Sequence, residues 1–166
     1  ASLNECKLGI VGLGAIGKKV ARLANAFGMR VQYYDIKRVS EAEEDALSVR
    51  FRLLNEILRT SDIVSLHVPL TPASKHMIGA EALAMMKPTG HLINTSRGAI
   101  VDELALVEAL RAGQIAGAGL AVVLGERQRR THVFEFGGET VGGCFGNAQA
   151  GSLLLDDVEP RLPVLF

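Results

Sequence analysis

The run Gly-Leu-Gly-Ala-Ile-Gly at positions 12–17 follows the apolar stretch Lys7–Val11, and Asp35 closes a second apolar stretch that begins at Arg30. Those residue types at that spacing can hold a diphosphate next to a ribose. Gly12 permits a tight strand-to-helix turn, Gly14 has no side chain to block a pyrophosphate, and Gly17 lets the helix lie close on the strand. At the start of that helix the amides, those of Ala15 and Ile16 among them, lack intrahelical acceptors and face the anion. A carboxylate at Asp35, with Ile36 beside it, accepts hydrogen bonds from both ribose hydroxyls and repels a 2′-phosphate. This points to a dinucleotide, NAD in preference to NADP. Lys37 and Arg38 follow closely and soften that preference. Three spaced glycines alone are weak evidence, since S-adenosylmethionine enzymes and plain glycine turns produce them too.

The elements that must position these groups can be read along the chain. From 7 to 123 apolar runs alternate with helical patterns. That order predicts an α/β fold, a doubly wound parallel sheet of Rossmann type covered on both faces. Lys7–Val11 is the first strand. Ile16, Val20, Leu23, Ala24 and Phe27 recur at helical spacing, and Gly28 supplies a stop. Residues 30–35 form the second strand; 40–48 is an acidic stretch with no assigned element; a short helix around 53–59 turns Leu54, Ile57 and Leu58 to the sheet. Residues 62–66 return as a buried strand, and 67–72, with two prolines, is a ligand-facing loop at its carboxyl end. A helix at 80–86, a strand at 91–94, a helix at 102–112 with acids in its first turn and a strand at 116–123 complete the set.

Beyond 123 the texture changes: residues 124–166 hold seven of the eighteen glycines, the cluster Arg127, Arg129 and Arg130, and no sustained period. Loops are expected there, with edge strands at 133–136 and 152–155. The division is therefore a dinucleotide-binding domain at 1–123 and an atypical glycine-rich segment at 124–166.

Composition narrows the function. A chain of 166 residues that is 48% hydrophobic and 22% charged fits one globular domain. Eighteen basic and eighteen acidic residues cancel, and the pI is near 7.1, so there is no electrostatic footprint of a nucleic-acid binder. Cys6 and Cys144 are far apart and form no CxxC pair, which suggests neither a disulfide framework nor a metal site and makes a reducing cytoplasm the default. Residues 1–7 lack the features of a signal peptide, and no apolar run approaches the ~18 residues of a membrane span, so a soluble protein is expected. The first residue is not Met, which suggests that something is missing upstream.

Four further motifs are more specific: Ser-Asp-Ile-Val-Ser-Leu-His-Val-Pro-Leu-Thr at 61–71, His-Met-Ile-Gly at 76–79, Met-Lys-Pro at 86–88, and Ile-Asn-Thr-Ser-Arg-Gly-Ala-Ile-Val-Asp-Glu at 93–103. With the glycine loop they resemble the cofactor domain of the NAD-dependent D-2-hydroxyacid dehydrogenases, the family that includes phosphoglycerate dehydrogenase and glyoxylate or hydroxypyruvate reductase, over about residues 8–123. The resemblance implies hydride transfer between a 2-hydroxy or 2-oxo acid and a nicotinamide ring. Arg97 matches the arginine that holds the substrate carboxylate and polarises the 2-oxo group. Arginine suits that task because it is permanently charged and grips a planar carboxylate through two parallel hydrogen bonds. The plain alternative is an arginine paired with a sheet-edge acid. By the same resemblance Val68, Pro69 and Thr71 line the adenine and ribose side, while Thr95, Ser96 and Arg97 approach the nicotinamide end.

The chain departs from the family pattern further on. Where the family reads Gly-Leu-Asp-Val-Phe, this sequence reads Gly-Leu-Ala-Val-Val at 119–123, so Ala121 replaces an aspartate. Glu126 falls at the position of the catalytic acid, but Arg127 follows where proline is expected. The family's Pro-His histidine, the general acid/base, has no counterpart. Gln149 lies near its position, and glutamine cannot exchange a proton near neutral pH. The two segments that build the family's substrate domain are also not recognisable. Three functions stay open: an NAD-binding domain of this descent that is not catalytically complete alone, a working dehydrogenase completed by 124–166 or by another chain, and a non-enzymatic nucleotide sensor or dimerisation module. Members of the family often pair through their cofactor domains, so the resemblance implies a homodimer.

Overall fold

The computed structural model describes residues 3–124 and 128–135, with side chains for residues 3–120. Seven strands form one sheet in the order β3-β2-β1-β4-β5-β6-β7: β1 Lys7–Val11, β2 Arg30–Tyr34, β3 Val49–Phe51, β4 Ile63–Leu66, β5 His91–Asn94, β6 Gly117–Leu124 and β7 Gln128–Glu135. The first six are mutually parallel, and β7 runs antiparallel to β6, with Gly117 opposite Glu135 and Leu124 opposite Gln128. Chain order reverses direction at β1, whose neighbours are β2 and β4. Such a switch point opens a crevice at the carboxyl ends of the strands.

Helices cover both faces. The α1 (Ala15–Ala26) and α2 (Glu41–Leu47) helices share a core with Leu8, Ile10, Val31, Tyr33 and Val49. On the other face α3 (Leu54–Thr60), α4 (Ala80–Met85) and α5 (Glu103–Arg111) pack over Val11, Val64, Leu66 and Leu92. Strand alternation explains the division, since paired positions of parallel strands point to the same side. Ile57 and Leu58 are fully buried, as their spacing on α3 requires.

Three details differ from the sequence reading. The acidic stretch at 40–48 is α2, capped by the Ser40 hydroxyl accepting from the Glu43 N–H at 3.3 Å, and it is followed by the edge strand β3. A three-residue strand is too short to declare itself by alternation. On α1 the sheet-facing residues are Gly17, Ala21 and Ala24, while Ile16, Leu23 and Phe27 are more than 60% exposed. Close approach to β1 selects the small stripe: a Cβ on Gly17 would collide with the Gly12 carbonyl oxygen. Past 123, where loops were expected, β7 extends the sheet from 128 to 135, longer than the 133–136 piece. Cys144, Gln149, the 152–155 piece and Glu126 lie outside the described residues.

Candidate functional site

The crevice is built from four loops at the carboxyl ends of β1, β2, β4 and β5. Gly12 has φ +97° and its N–H donates to the Tyr34 carbonyl at 2.8 Å. A Cβ there would lie 2.8 Å from both the carbonyl carbon and oxygen of His67, so this position requires glycine twice over. Gly14 caps α1 with extended backbone angles and open space where a Cβ would go. The first helical bond beyond it runs from the Lys18 N–H to the Gly14 carbonyl at 2.9 Å, leaving the amides of Ala15, Ile16 and Gly17 directed out of the helix start. This is a cradle for an anion: open in front, bounded behind by backbone.

Asp35 is half-buried at the end of β2 and bonds to the glycine loop, its Oδ2 accepting from the Leu13 N–H at 2.7 Å and its Oδ1 from the Lys37 N–H at 3.2 Å. Each oxygen keeps acceptor capacity for a ribose hydroxyl. Ile36, expected beside it, is 95% exposed. Arg38 does not stand free next to the ribose position. Its Nε and Nη2 donate to Glu44 Oε1 and Oε2 at 2.6 and 3.2 Å.

After β4 the chain turns over the glycine loop. The His67 N–H donates to the Val11 carbonyl at 2.7 Å, and its Nε2 lies 2.9 Å from Ser65 Oγ. Burial pushes the His67 imidazole pKa down. Val68 packs on the core, whereas Pro69 and Thr71 are exposed. Ser74 holds this loop's shape, donating from Oγ to the Pro69 carbonyl at 2.7 Å and accepting from the Thr71 N–H at 2.8 Å.

After β5, Asn94 organises the loop that bears Thr95, Ser96 and Arg97. Its Oδ1 accepts from the Ser96 N–H at 3.0 Å and its Nδ2 donates to the Arg97 carbonyl at 2.8 Å. The Ser96 hydroxyl donates to the Leu66 carbonyl at 2.8 Å, tying the β5 loop to β4 and leaving only acceptor lone pairs for a ligand. Thr95 is exposed. The Arg97 guanidinium is exposed too, bonded to the Ser96 carbonyl at 2.9 Å and in no ion pair among the described residues. Pairing with a sheet-edge acid is thus not how these residues use it.

Asn94, Ser74 and Glu44 were missed in the sequence. Asn94 carried a signal, a polar residue ending a buried strand, and so did Glu44, an acid three positions before the buried Leu47 on one helix face.

The model for the D-isomer specific 2-hydroxyacid dehydrogenase family, NAD binding domain, matches residues 1–137. The chain belongs to this family. As an NAD-binding domain of the D-2-hydroxyacid dehydrogenases, it takes NAD as its cofactor. It is 56% identical over 115 residues to a glyoxylate reductase of Korarchaeum cryptofilum, covering 69% of this chain and 34% of that protein. With a glyoxylate reductase of Thermococcus gammatolerans identity is 46% over 145 residues, 87% of this chain and 43% of that one. Among solved structures, the NAD complex of a D-isomer specific 2-hydroxyacid dehydrogenase from Lactobacillus delbrueckii ssp. bulgaricus superposes with a TM-score of 0.70 at 40% identity, covering 76% of this chain and 38% of that one. The Aquifex aeolicus D-lactate dehydrogenase, complexed with NAD and lactic acid, gives 0.70 at 41%, covering 76% and 37%. The domain thus spans about two fifths or less of the length of these relatives.

Proposed function

We propose that this domain serves NAD(H)-dependent interconversion of a 2-oxo acid and a 2-hydroxy acid, and that its described residues bind the cofactor and the substrate carboxylate without completing the acid/base chemistry. The observation that carries this is the convergence of four loops on one crevice, with a φ-positive Gly12 seated on the His67 backbone and open space over Gly14. Those features fit a diphosphate, which needs backbone amides and no side chain in front of them.

In this reading Ala15, Ile16 and Gly17 offer amides to the pyrophosphate, with Gly12 and Gly14 shaping the turn. Asp35 accepts from the adenosine ribose, with Ile36, Val68, Pro69 and Thr71 along the adenine side. Thr95, and Ser96 through its lone pairs, meet the nicotinamide ribose. NAD supplies the hydride acceptor, or NADH the donor, when bound. Arg97 grips the substrate carboxylate and draws electron density from the 2-oxo group, which suits an exposed, permanently charged fork that no acid among the described residues neutralises. Glu126 stays a proposed acid partner for proton transfer. Titration calorimetry with NADH tests the binding half, and no heat at millimolar cofactor would refute it. NADH oxidation with glyoxylate, hydroxypyruvate and 3-phosphohydroxypyruvate tests completeness, since steady turnover of any of them by the chain alone would show that it carries its own proton donor.

A homodimer in a reducing cytoplasm belongs to the same proposal. Ile16 and Leu23 on α1, with Phe27 at its C-cap, form an exposed apolar stripe that supports pairing, and Cys6 is buried in the core. No helix among the described residues is long and apolar enough to cross a membrane. Light scattering of the protein and of Leu23→Asp checks the dimer: a wild-type monomer would exclude it.

A further inference from the structure

Three residues past Asp35, a guanidinium stands where its chemistry would suit the wrong cofactor. An arginine close behind the ribose-binding acid is the kind of group that grips a 2′-phosphate, and NAD lacks that phosphate. Arg38 instead presents its Nε and Nη2 edge to Glu44, the same edge a phosphate would use. Its guanidinium carbon lies 5.6 Å from the centroid of the Phe51 ring. Phe51 belongs to β3, across β2 from the glycine loop, so the charge is drawn to the far side of the strand that carries Asp35.

Glu44 is itself fixed. It is 3% exposed, and its Oε1 accepts from the Tyr33 hydroxyl at 2.9 Å, while that hydroxyl accepts from the Val39 N–H at 3.2 Å. Tyr33 is completely buried on β2, so the network ties α2, β2 and the connection between them. Releasing Arg38 would strand a buried carboxylate, a strongly unfavourable change. The neighbouring cation on α1 meets the same fate, because Lys18 pairs with Glu43 at 2.6 Å.

We propose that Glu44 is a positioning residue for cofactor selectivity, withholding Arg38 from the 2′-phosphate position so that Asp35 faces the adenosine ribose without competition from that guanidinium. The inference rests on the assignment of Asp35 to that ribose. Discrimination against NADPH then has two layers: repulsion by Asp35 and sequestration by Glu44.

The test is the ratio of NADPH to NADH dissociation constants, measured by fluorescence titration on the full chain. In an Asp35→Ser background, adding Glu44→Gln shifts the ratio toward NADPH by about fivefold or more, the gain from one partly solvated cation and a phosphate. Adding Arg38→Ala to that pair removes the gain. An unchanged ratio in the double variant, or a gain that survives Arg38→Ala, overturns the proposal. A purely structural role would weaken both cofactors alike and leave the ratio fixed. Should the Glu44 variant not fold, Arg38→Ala in the Asp35→Ser background answers the same question: NADPH affinity stays within about twofold if Arg38 is sequestered, and a larger loss overturns the idea. Wild-type chain that binds no NADH would instead refute the cofactor assignment itself.

Discussion

Replacing Gly14 by alanine separates binding from folding. Gly14 is the N-cap of α1 at φ −73° and ψ −164°, angles open to any residue, and a Cβ built there meets nothing within 4 Å. Alanine is the poorer N-cap by about 1 kcal/mol, while the lost freedom of the unfolded glycine returns about 0.4–1 kcal/mol. The two nearly cancel, so the melting temperature moves by no more than about 4 °C. Binding behaves differently, because the space over Gly14 is the approach to the amides of Ala15 and Ile16. A methyl group there keeps a pyrophosphate from closing on them, and each charge-assisted hydrogen bond lost weakens binding by about 1.5–3 kcal/mol. One lost bond corresponds to about a 10- to 150-fold rise in Kd. Gly17→Ala is the control with the opposite signature. Its Cβ runs into the Gly12 carbonyl oxygen and lies 3.2 Å from the carbonyl carbon, so α1 must lift off β1 and stability falls by about 1–3 kcal/mol. Thermal unfolding with and without NADH, beside a fluorescence titration, reads both effects. Near wild-type NADH affinity in Gly14→Ala, or a melting loss as large as that of Gly17→Ala, refutes the reasoning.

Arg97→Met leaves the NADH Kd within about twofold while any 2-oxo acid reduction in which the domain takes part falls by about 100-fold or more; equal losses in both would show that Arg97 serves the cofactor alone. Ser96→Ala breaks the bond to the Leu66 carbonyl and lowers stability by about 1 kcal/mol, to be read from urea midpoints, and an unchanged midpoint would mean the tie is idle. His67 has a folded-state pKa below its unfolded value because burial disfavours the charged ring, so its contribution is present above the unfolded pKa of about 6.5 and is lost as pH falls through the folded value. Urea unfolding at about pH 7.5 and about pH 5 should show that loss, and His67→Gln should shrink it; a variant with an identical pH slope contradicts the assignment.

How much could be read in the chain depended on the range of the forces involved. The glycine loop, Asp35 and the β1, β4 and β5 strands are local patterns, set by glycine's torsional freedom and by apolar runs long enough to be recognised, and the sheet follows from their order. The α1 face was not legible in the same way. Ile16, Leu23 and Phe27 are spaced like a core stripe, yet the tight approach at Gly17 sets the small Ala21 and Ala24 against the sheet, with Val20 half-buried beside them. Partners distant in sequence were equally hidden. That Arg38 bonds Glu44 while Lys87 bonds Asp62 at 2.7 Å is a choice among many nearby charges, fixed only once β2, α2 and β3 are assembled. Similarly, the Ser96 hydroxyl looked available until the Leu66 carbonyl came beside it.

The contact between Gly12 and the His67 backbone has a kinetic consequence. Because that turn is wedged against the β4 loop by its own chain, and Asp35 already holds the Leu13 amide, the phosphate cradle is shaped during folding and has little conformational entropy left to lose when a dinucleotide arrives. Association should therefore follow a single concentration-linear phase with no slow rearrangement behind it, and temperature should alter the dissociation rate far more than the rate of capture.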